Sequence, residues 1–367
     1  MSIAPDDIIF LLGAGASAEA GIPTSADMIG KIEYLLNKEA EEEWRPFQSL
    51  YNHVKSGIYY AEGLRGRFRD DVSYNIETLV NTLYELERNE EHPLYPFIAA
   101  WNSRFVALAG ADFSNVKSFR GLILRELQKW MCPDNPLRAN YYQGLANLQK
   151  EITFPLRVFS LNYDLCVEHL ACDNFQIETG FGGYGPEHAW NFERFETTTP
   201  GTTPQIIFYK LHGSINWKRD DETKNLFRVD QAVAIEPDRM ELIFGRDFRL
   251  EAADPYLFYA YEFRRCTLAA KLIVAIGYGF GDAHINKMLT QALRKDGNRR
   301  LLAVCNCDNE DGVLQKKRVE ICRKLDNEES ILHQVDVQPG TTKQFLETKS
   351  LVAILSEKLP VDSDTPF

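Results

Sequence analysis

The chain has no CxxC pair, no long apolar run, no excess of basic residues and no internal repeat or low-complexity tract. Each absence excludes something. The seven cysteines, Cys132, Cys166, Cys172, Cys266, Cys305, Cys307 and Cys322, are scattered and odd in number. That argues against a disulfide framework and suits a reducing compartment. A structural zinc site generally takes four ligands on two knuckles, and Cys305-Asn306-Cys307 supplies neither, so no metal is expected. No apolar stretch reaches the roughly 18 residues that cross a bilayer. The N-terminal MSIAPDD lacks the basic stretch of a secretory leader. A cytoplasmic protein free of membranes is therefore expected. Lysine and arginine number 41 against 53 acids, a net charge of −12. This argues against a phosphate-backbone footprint, so no direct nucleic-acid binding is expected.

What is present begins at residue 8. The apolar run Ile8–Leu12 is followed by Gly13-Ala14-Gly15-Ala16-Ser17 and then by Gly21-Ile22-Pro23. A strand that ends in a glycine loop and opens a helix is a phosphate cradle. Glycine lets the backbone approach a pyrophosphate, and a helix N-terminus offers free N–H groups to an anion.

From about residue 31 to 150 the apolar spacing becomes helical. Ile76, Leu79, Val80, Leu83 and Tyr84 share one helix face, with Ser73 as a candidate cap. Segments 31–56, 93–109 and 116–131 also read as helices. We take 31–150 as an all-helical insertion, an assembly or partner surface. Strands return at Arg157–Leu161, Ile206–Leu211, Leu242–Phe244, Lys271–Ile276, Arg300–Cys305 and Ile331–Val337, with helical patterns at 256–270 and 284–295. Alternation of this kind implies an α/β fold: a Rossmann-like, mainly parallel sheet covered by helices on both faces. Residues 1–30 and 151–340 would form this nucleotide-binding domain. Residues 341–367 would add a C-terminal helix, boxed by Thr341 and Gln344, and a loose tail. The stretch 180–204, rich in Gly, Thr and Pro, reads as a loop bordering the site.

In such a sheet, ligands bind at the carboxyl ends of the strands. The polar candidates sit there: Asn162 and Asp164 after one strand, His212 after the next, Gly277–Asp282 after another and Asn306 after a fourth. Asn162 and Asp164 are also good helix caps, as is Asp282, and His212 could be an ordinary core histidine. The remaining histidines read as surface or structural groups.

Together these pieces resemble the sirtuin family: GAGAS with GIP at 13–23, SLNYD at 160–164, LHG at 211–213, IGYGFGD at 276–282 and the late strand ending at Asn306, in the family's order. The resemblance implies a site for nicotinamide adenine dinucleotide (NAD), used as substrate, and cleavage of the nicotinamide–ribose bond. Gly13, Ala14, Gly15 and Ser17 would hold the pyrophosphate. Asn162 would contact the ribose or the attacking water, Asp164 would shape that pocket and His212 would be a general base on a ribose hydroxyl. Gly277 and the loop to Asp282 would hold the adenosine side, with Asn306 on the adenine ribose. Tyr184 and Trp190 would cover the nicotinamide pocket.

Two departures direct the reading. Protein-deacetylating sirtuins follow GIP with Asp-Phe-Arg, whereas this chain has Thr24-Ser25-Ala26, and their four-cysteine zinc module is missing. The chain is more similar to the zinc-less, sirtuin-like NAD hydrolases of bacterial antiphage defence. That implies an NAD glycohydrolase that depletes NAD when triggered, as a homo-oligomer or with a HerA-type hexameric ATPase partner. The alternatives are a non-catalytic sensor of NAD or ADP-ribose, and an NAD-dependent deacylase or ADP-ribosyltransferase acting on protein.

Overall fold

The computed structural model describes residues 3–38, 42–68, 72, 74–87, 103–133, 135–171, 175–183, 187–196, 204–244, 254–325 and 329–360. Among the described residues the strands are β1 (Ile8–Leu12), β2 (Leu156–Ser160), β3 (Ile177–Glu178), β4 (Phe181–Gly182), β5 (Glu187–Trp190), β6 (Ile206–Lys210), β7 (Gly213–Arg219), β8 (Leu226–Val229), β9 (Met240–Leu242), β10 (Leu272–Ile276), β11 (Arg300–Cys305) and β12 (Val335–Pro339). Seven of them form one sheet in the order β12-β11-β10-β1-β2-β6-β3. Every neighbouring pair in it is parallel. The chain builds outward from β1 through β2 and β6, then returns to add β10, β11 and β12 on the other side. Strand order therefore reverses beside β1, and a crevice forms beyond the carboxyl ends of β1 and β10.

The sequence of β1 explains its central place. All five residues of Ile8-Ile9-Phe10-Leu11-Leu12 are buried. Ile8, Phe10 and Leu12 enter a core shared with the helices between β1 and β2. Ile9 and Leu11 point the other way, into a core with the helices Tyr256–Ala269 and Ala283–Lys295. A parallel strand covered on both faces needs this unbroken apolar run rather than an alternating one.

Among the described residues the helical interval contains the α-helices Ser25–Asn37, Gln48–Leu64, Ile76–Glu87, Ser103–Ala109, Ser114–Trp130 and Gln143–Ile152. These helices pack against one face of the sheet, which the C-terminal helices also help to cover, so the insertion is part of a layer of the fold. The segment Thr24-Ser25-Ala26 starts the first of them. The Thr24 side chain accepts from the Asp27 N–H while Asp27 accepts from the Thr24 N–H, a reciprocal cap. Helix Ile76–Glu87 begins on Asn75, whose Oδ1 accepts from the Thr78 N–H at 2.9 Å. The expected cap Ser73 lies outside the described residues, as do 93–102 of the expected helix 93–109.

Four expectations are corrected. The stretch 180–204 is not a plain loop: β4 and β5 lie in it and open a second, antiparallel sheet in the order β4-β5-β8-β7-β9. The strand expected at Leu242–Phe244 is Met240–Leu242 and belongs to that second sheet. The strand expected over Ile331–Val337 is displaced to Val335–Pro339, because Glu329–Gln334 forms a 3-10 turn. The capping box at Thr341 and Gln344 is present, but the helix it opens stops at Leu346 and a separate helix spans Leu351–Lys358. The boundary between residues 30 and 31 falls inside the helix Ser25–Asn37. No helix of the described residues is long and apolar enough to cross a membrane.

Candidate active site

Two glycine loops interlock at the reversal point. Gly13 donates its N–H to Ile276 O at 3.0 Å and Gly15 donates to Gly277 O at 2.9 Å. A Cβ at Gly277 would lie 2.1 Å from the Ala16 nitrogen, and its φ of +61° is left-handed as well. The glycines after β1 thus serve first to let two backbones touch. Their N–H groups are spent within the protein, so Gly13 and Gly15 shape the floor of the crevice rather than donate into it. Ala14 faces a cavity on the β2 side.

The catalytic candidates converge beside this floor. Asn162 follows β2, is buried, and donates from Nδ2 to Ser17 Oγ at 3.3 Å. Ser17 Oγ is 3.0 Å from Tyr142 Oη. Asn162 Oδ1 is left buried with no partner. Asp164 accepts from the Cys166 N–H through Oδ1 at 2.9 Å, while its Oδ2 is buried and unpartnered. The turn is held from below by Lys210, a fully buried cation. Its Nζ donates to the carbonyls of Tyr163 and Asp164 and pairs with Glu168 at 3.1 Å.

His212 follows β6, and its Nε2 lies 3.0 Å from Asp282 Oδ2 across the crevice. A carboxylate can only accept, so Nε2 carries the proton and a neutral imidazole presents its lone pair at Nδ1. That Nδ1 is buried and unpartnered. Asp282 caps its helix, as expected, and also makes a contact that the sequence did not suggest. Its Oδ1 accepts from the N–H groups of His284 and Ile285 to cap the helix, and its Oδ2 binds His212. Gly213 makes this geometry accessible. With φ at +85°, it lets the carbonyl of Glu241 approach to where a Cβ would stand. His212 O then accepts from the Ile243 N–H at 2.9 Å, and Ile243 O accepts from Tyr163 Oη at 2.6 Å.

Electrostatics follow from this packing. Burial alone would push the His212 imidazole down, but the Asp282 hydrogen bond and the charges of Glu77 and Asp282 outweigh it and hold it above its usual value. Burial would raise Asp282, yet His212 and two backbone N–H groups hold its carboxyl below the usual range. The two directions share one cause, the contact between the imidazole and the carboxylate.

Two groups here were missed from the sequence, and both come from the helical layer. Tyr142, at the end of the 3-10 turn Pro136–Tyr142, reaches Ser17, and Tyr141 beside it donates to Ala16 O at 2.6 Å. Glu77, in the first turn of Ile76–Glu87, lines a cavity of about 30 Å³ together with Ala14, Pro23, Met28, Asn162 and Asp164. The sequence signal for Glu77 was weak: one acid beside an apolar stripe. For Tyr142 there was none.

The other expected positions are placed as follows. Asn306 is exposed just beyond β11, two strands from β1 and opposite to β2 and β6. Gly277–Asp282 lies between it and His212. Trp190 lies in β5 of the second sheet. Its indole N–H donates to Tyr259 Oη at 3.1 Å and its ring packs edge-on against Phe258. Tyr184 lies outside the described residues. Among the described residues, no cluster of three or more His, Cys, Asp or Glu side chains is arranged to hold a metal.

Residues 156–326 match the family model described as a SIR2-like domain. That segment carries Asn162, Asp164, His212, Gly277, Asp282 and Asn306. No curated protein matches the chain. Among solved structures it is similar to a mutant Sir2 homologue in complex with 2'-O-acetyl ADP ribose, at 14% identity over 97% of this chain and 94% of that one, TM-score 0.43. It is also similar to a Sir2 homologue–NAD complex, at 14% identity over 95% and 89%, TM-score 0.42. A third is a Sir2–p53 peptide–NAD⁺ complex, at 11% identity over 95% and 93%, TM-score 0.41.

Proposed function

We propose that the protein is an NAD glycohydrolase, cleaving the nicotinamide–ribose bond to give nicotinamide and ADP-ribose. One observation carries the reading. Three buried polar atoms, Asn162 Oδ1, Asp164 Oδ2 and His212 Nδ1, lack partners, and they sit at the ends of adjacent strands beside the reversal point. A buried polar group without a partner costs about 1–3 kcal/mol. Three of them in one crevice suit a ligand rich in hydroxyl and amide donors, as a nicotinamide riboside is. The SIR2-like match over the same residues supports NAD as that ligand.

The residues fit the chemistry. Nicotinamide leaves a cationic pyridinium as a neutral ring, so the sugar passes through an oxocarbenium-like state. Asn162, fixed by Ser17, directs its carbonyl oxygen into the crevice and orients a ribose hydroxyl. His212 Nδ1 takes a proton from a hydroxyl, and Asp282 holds the imidazole in the tautomer that permits this. Gly13, Ala14, Gly15, Ser17 and Gly277 form the floor beneath the pyrophosphate, with Asn306 toward the adenine ribose.

As part of the same proposal, the protein is a bacterial antiphage-defence effector, silent until triggered. It acts as a homo-oligomer or with a HerA-type hexameric ATPase, and the helical layer is the contact surface. The support is the sirtuin-like resemblance and several large apolar side chains exposed in that layer, Tyr34, Tyr60, Leu64 and Phe68.

The test is to incubate the purified full chain with NAD and follow nicotinamide by chromatography, alone and with a HerA-type ATPase. An acetylated peptide in a parallel arm separates deacylation, which needs it, from hydrolysis, which does not. Release of nicotinamide without peptide, lost in Asn162→Ala and His212→Ala, is the expected result. Binding of NAD with no release in any arm would establish the sensor reading instead.

A further inference from the structure

The helical layer contributes an acid to the catalytic crevice. Glu77 is fixed by its helix: Asn75 caps the start, and Ile76, Leu79, Val80 and Leu83 are buried along one face. Its side chain shares the walls of the roughly 30 Å³ cavity with Asn162 and Asp164. A space of that size holds one or two waters. Glu77, Asn162 and Asp164 all line it, and Asn162 Oδ1 and Asp164 Oδ2 are buried without partners. Acceptor-bearing residues around so small a space suit a molecule with two O–H donors.

We propose that Glu77 is the general base of the hydrolytic step, holding the attacking water together with Asn162 and taking its proton. This rests on the NAD-hydrolase reading and adds a catalytic residue to it. The C1'–N bond breaks with its electron pair leaving on the nicotinamide nitrogen. The water oxygen supplies the pair for the new C1'–O bond. One water proton passes to the Glu77 carboxylate and then to solvent. NAD⁺ and water thus give nicotinamide, ADP-ribose and one proton.

Of the other groups around Glu77, Asp282 and Tyr163 are engaged elsewhere, while Asp164 keeps one unpartnered oxygen. Asp282 is bound by His212 and two backbone N–H groups. Asp164 has one oxygen on the Cys166 N–H. Tyr163 donates to Ile243 O. The charged groups that act on Glu77 are His212 and Asp282. Burial and Asp282 raise its carboxyl, His212 opposes them, and the net direction is upward.

The experiment compares the full-length wild type with Glu77→Gln, an isosteric change. Three quantities are measured: NAD affinity by calorimetry, nicotinamide release, and exchange of labelled nicotinamide into NAD. Exchange requires bond cleavage but no water attack. The expected result is NAD affinity unchanged, hydrolysis reduced by about 10²-fold or more, and exchange retained, so that the ratio of exchange to hydrolysis rises by a similar factor. A second variant, Glu77→Ala, should regain hydrolysis on addition of formate, which a purely structural residue would not do. An unchanged ratio in Glu77→Gln together with no formate rescue in Glu77→Ala overturns the assignment. Absence of nicotinamide release by the wild type overturns the hydrolase reading itself, which is a separate and recognisable failure.

Discussion

Tyr142 Oη lies 3.0 Å from Ser17 Oγ, and Ser17 in turn accepts from Asn162 Nδ2. A tyrosine of the helical layer is thereby linked through Ser17 to the Asn162 amide. Tyr142→Phe keeps the packing and removes the link. Nicotinamide release should fall by roughly tenfold in kcat with little change in KM, since one hydrogen bond is worth about 0.5–1.5 kcal/mol. Steady-state kinetics at saturating NAD checks this; a change confined to KM would contradict it.

The His212–Asp282 pair predicts a pH profile. His212 must be neutral to act as a base, and its folded value is raised. The acid limb of kcat/KM should therefore lie above 6.5, the usual histidine value. Asp282→Asn still caps its helix but removes the charge, so the imidazole value drops and the limb moves to lower pH. In stability terms the same pair helps the folded state below the unfolded histidine value and loses that help as pH rises through the folded one. Rate profiles of both proteins between pH 5 and pH 9 (the range on the order of two units either side of neutral) test the direction.

Gly277 and Gly279 form an internal control. Gly277→Ala would put a methyl 2.1 Å from the Ala16 nitrogen at a left-handed φ, whereas Gly279 has open space around it. Gly277→Ala should lower stability by about 1–3 kcal/mol or more and weaken NAD binding. Gly279→Ala should stay within about 0.5 kcal/mol of the parent. Thermal melts with and without NAD separate them.

Phe119 is fully buried in the core that the helical layer shares with Phe10 and Leu12 of β1. Phe119→Ala should cost about 3–5 kcal/mol. Because the layer and sheet share one core, unfolding should remain a single transition at lower temperature. Two separated calorimetric peaks would show instead that the layer folds as an independent body.

Much of this arrangement was legible beforehand, and the reason is periodicity. Buried parallel strands such as Ile8–Leu12 and Leu272–Ile276 announce themselves as apolar runs, and the polar residues that follow them must lie at one edge of the sheet. Asn162, His212 and Asp282 could be placed by that logic alone. The second sheet was hidden because β4 and β5 are short and contain Gly and alternating polar residues that read as loop. Tyr142 and Glu77 were hidden for another reason. Their positions depend on how the helical layer sits over the crevice, a contact over 125 residues of sequence for Tyr142 and Ser17. Helical spacing shows which face of a helix is buried, but not which residue at its end looks into a site.

The strand order has a consequence for synthesis. β10 inserts beside β1 and brings Asp282 to His212, which lies 70 residues earlier in the chain. A ribosome that has made β1, the helical layer, β2 and β6 has produced Glu77, Asn162 and His212 but not the carboxylate that sets the imidazole. Non-local parallel pairing of this kind closes slowly, because the loop must be paid for in entropy before the contact forms. The crevice is thus assembled by a late segment: an unfinished chain holds the reactive groups without the partner that orients them, and competence arrives only once β10 has emerged and docked.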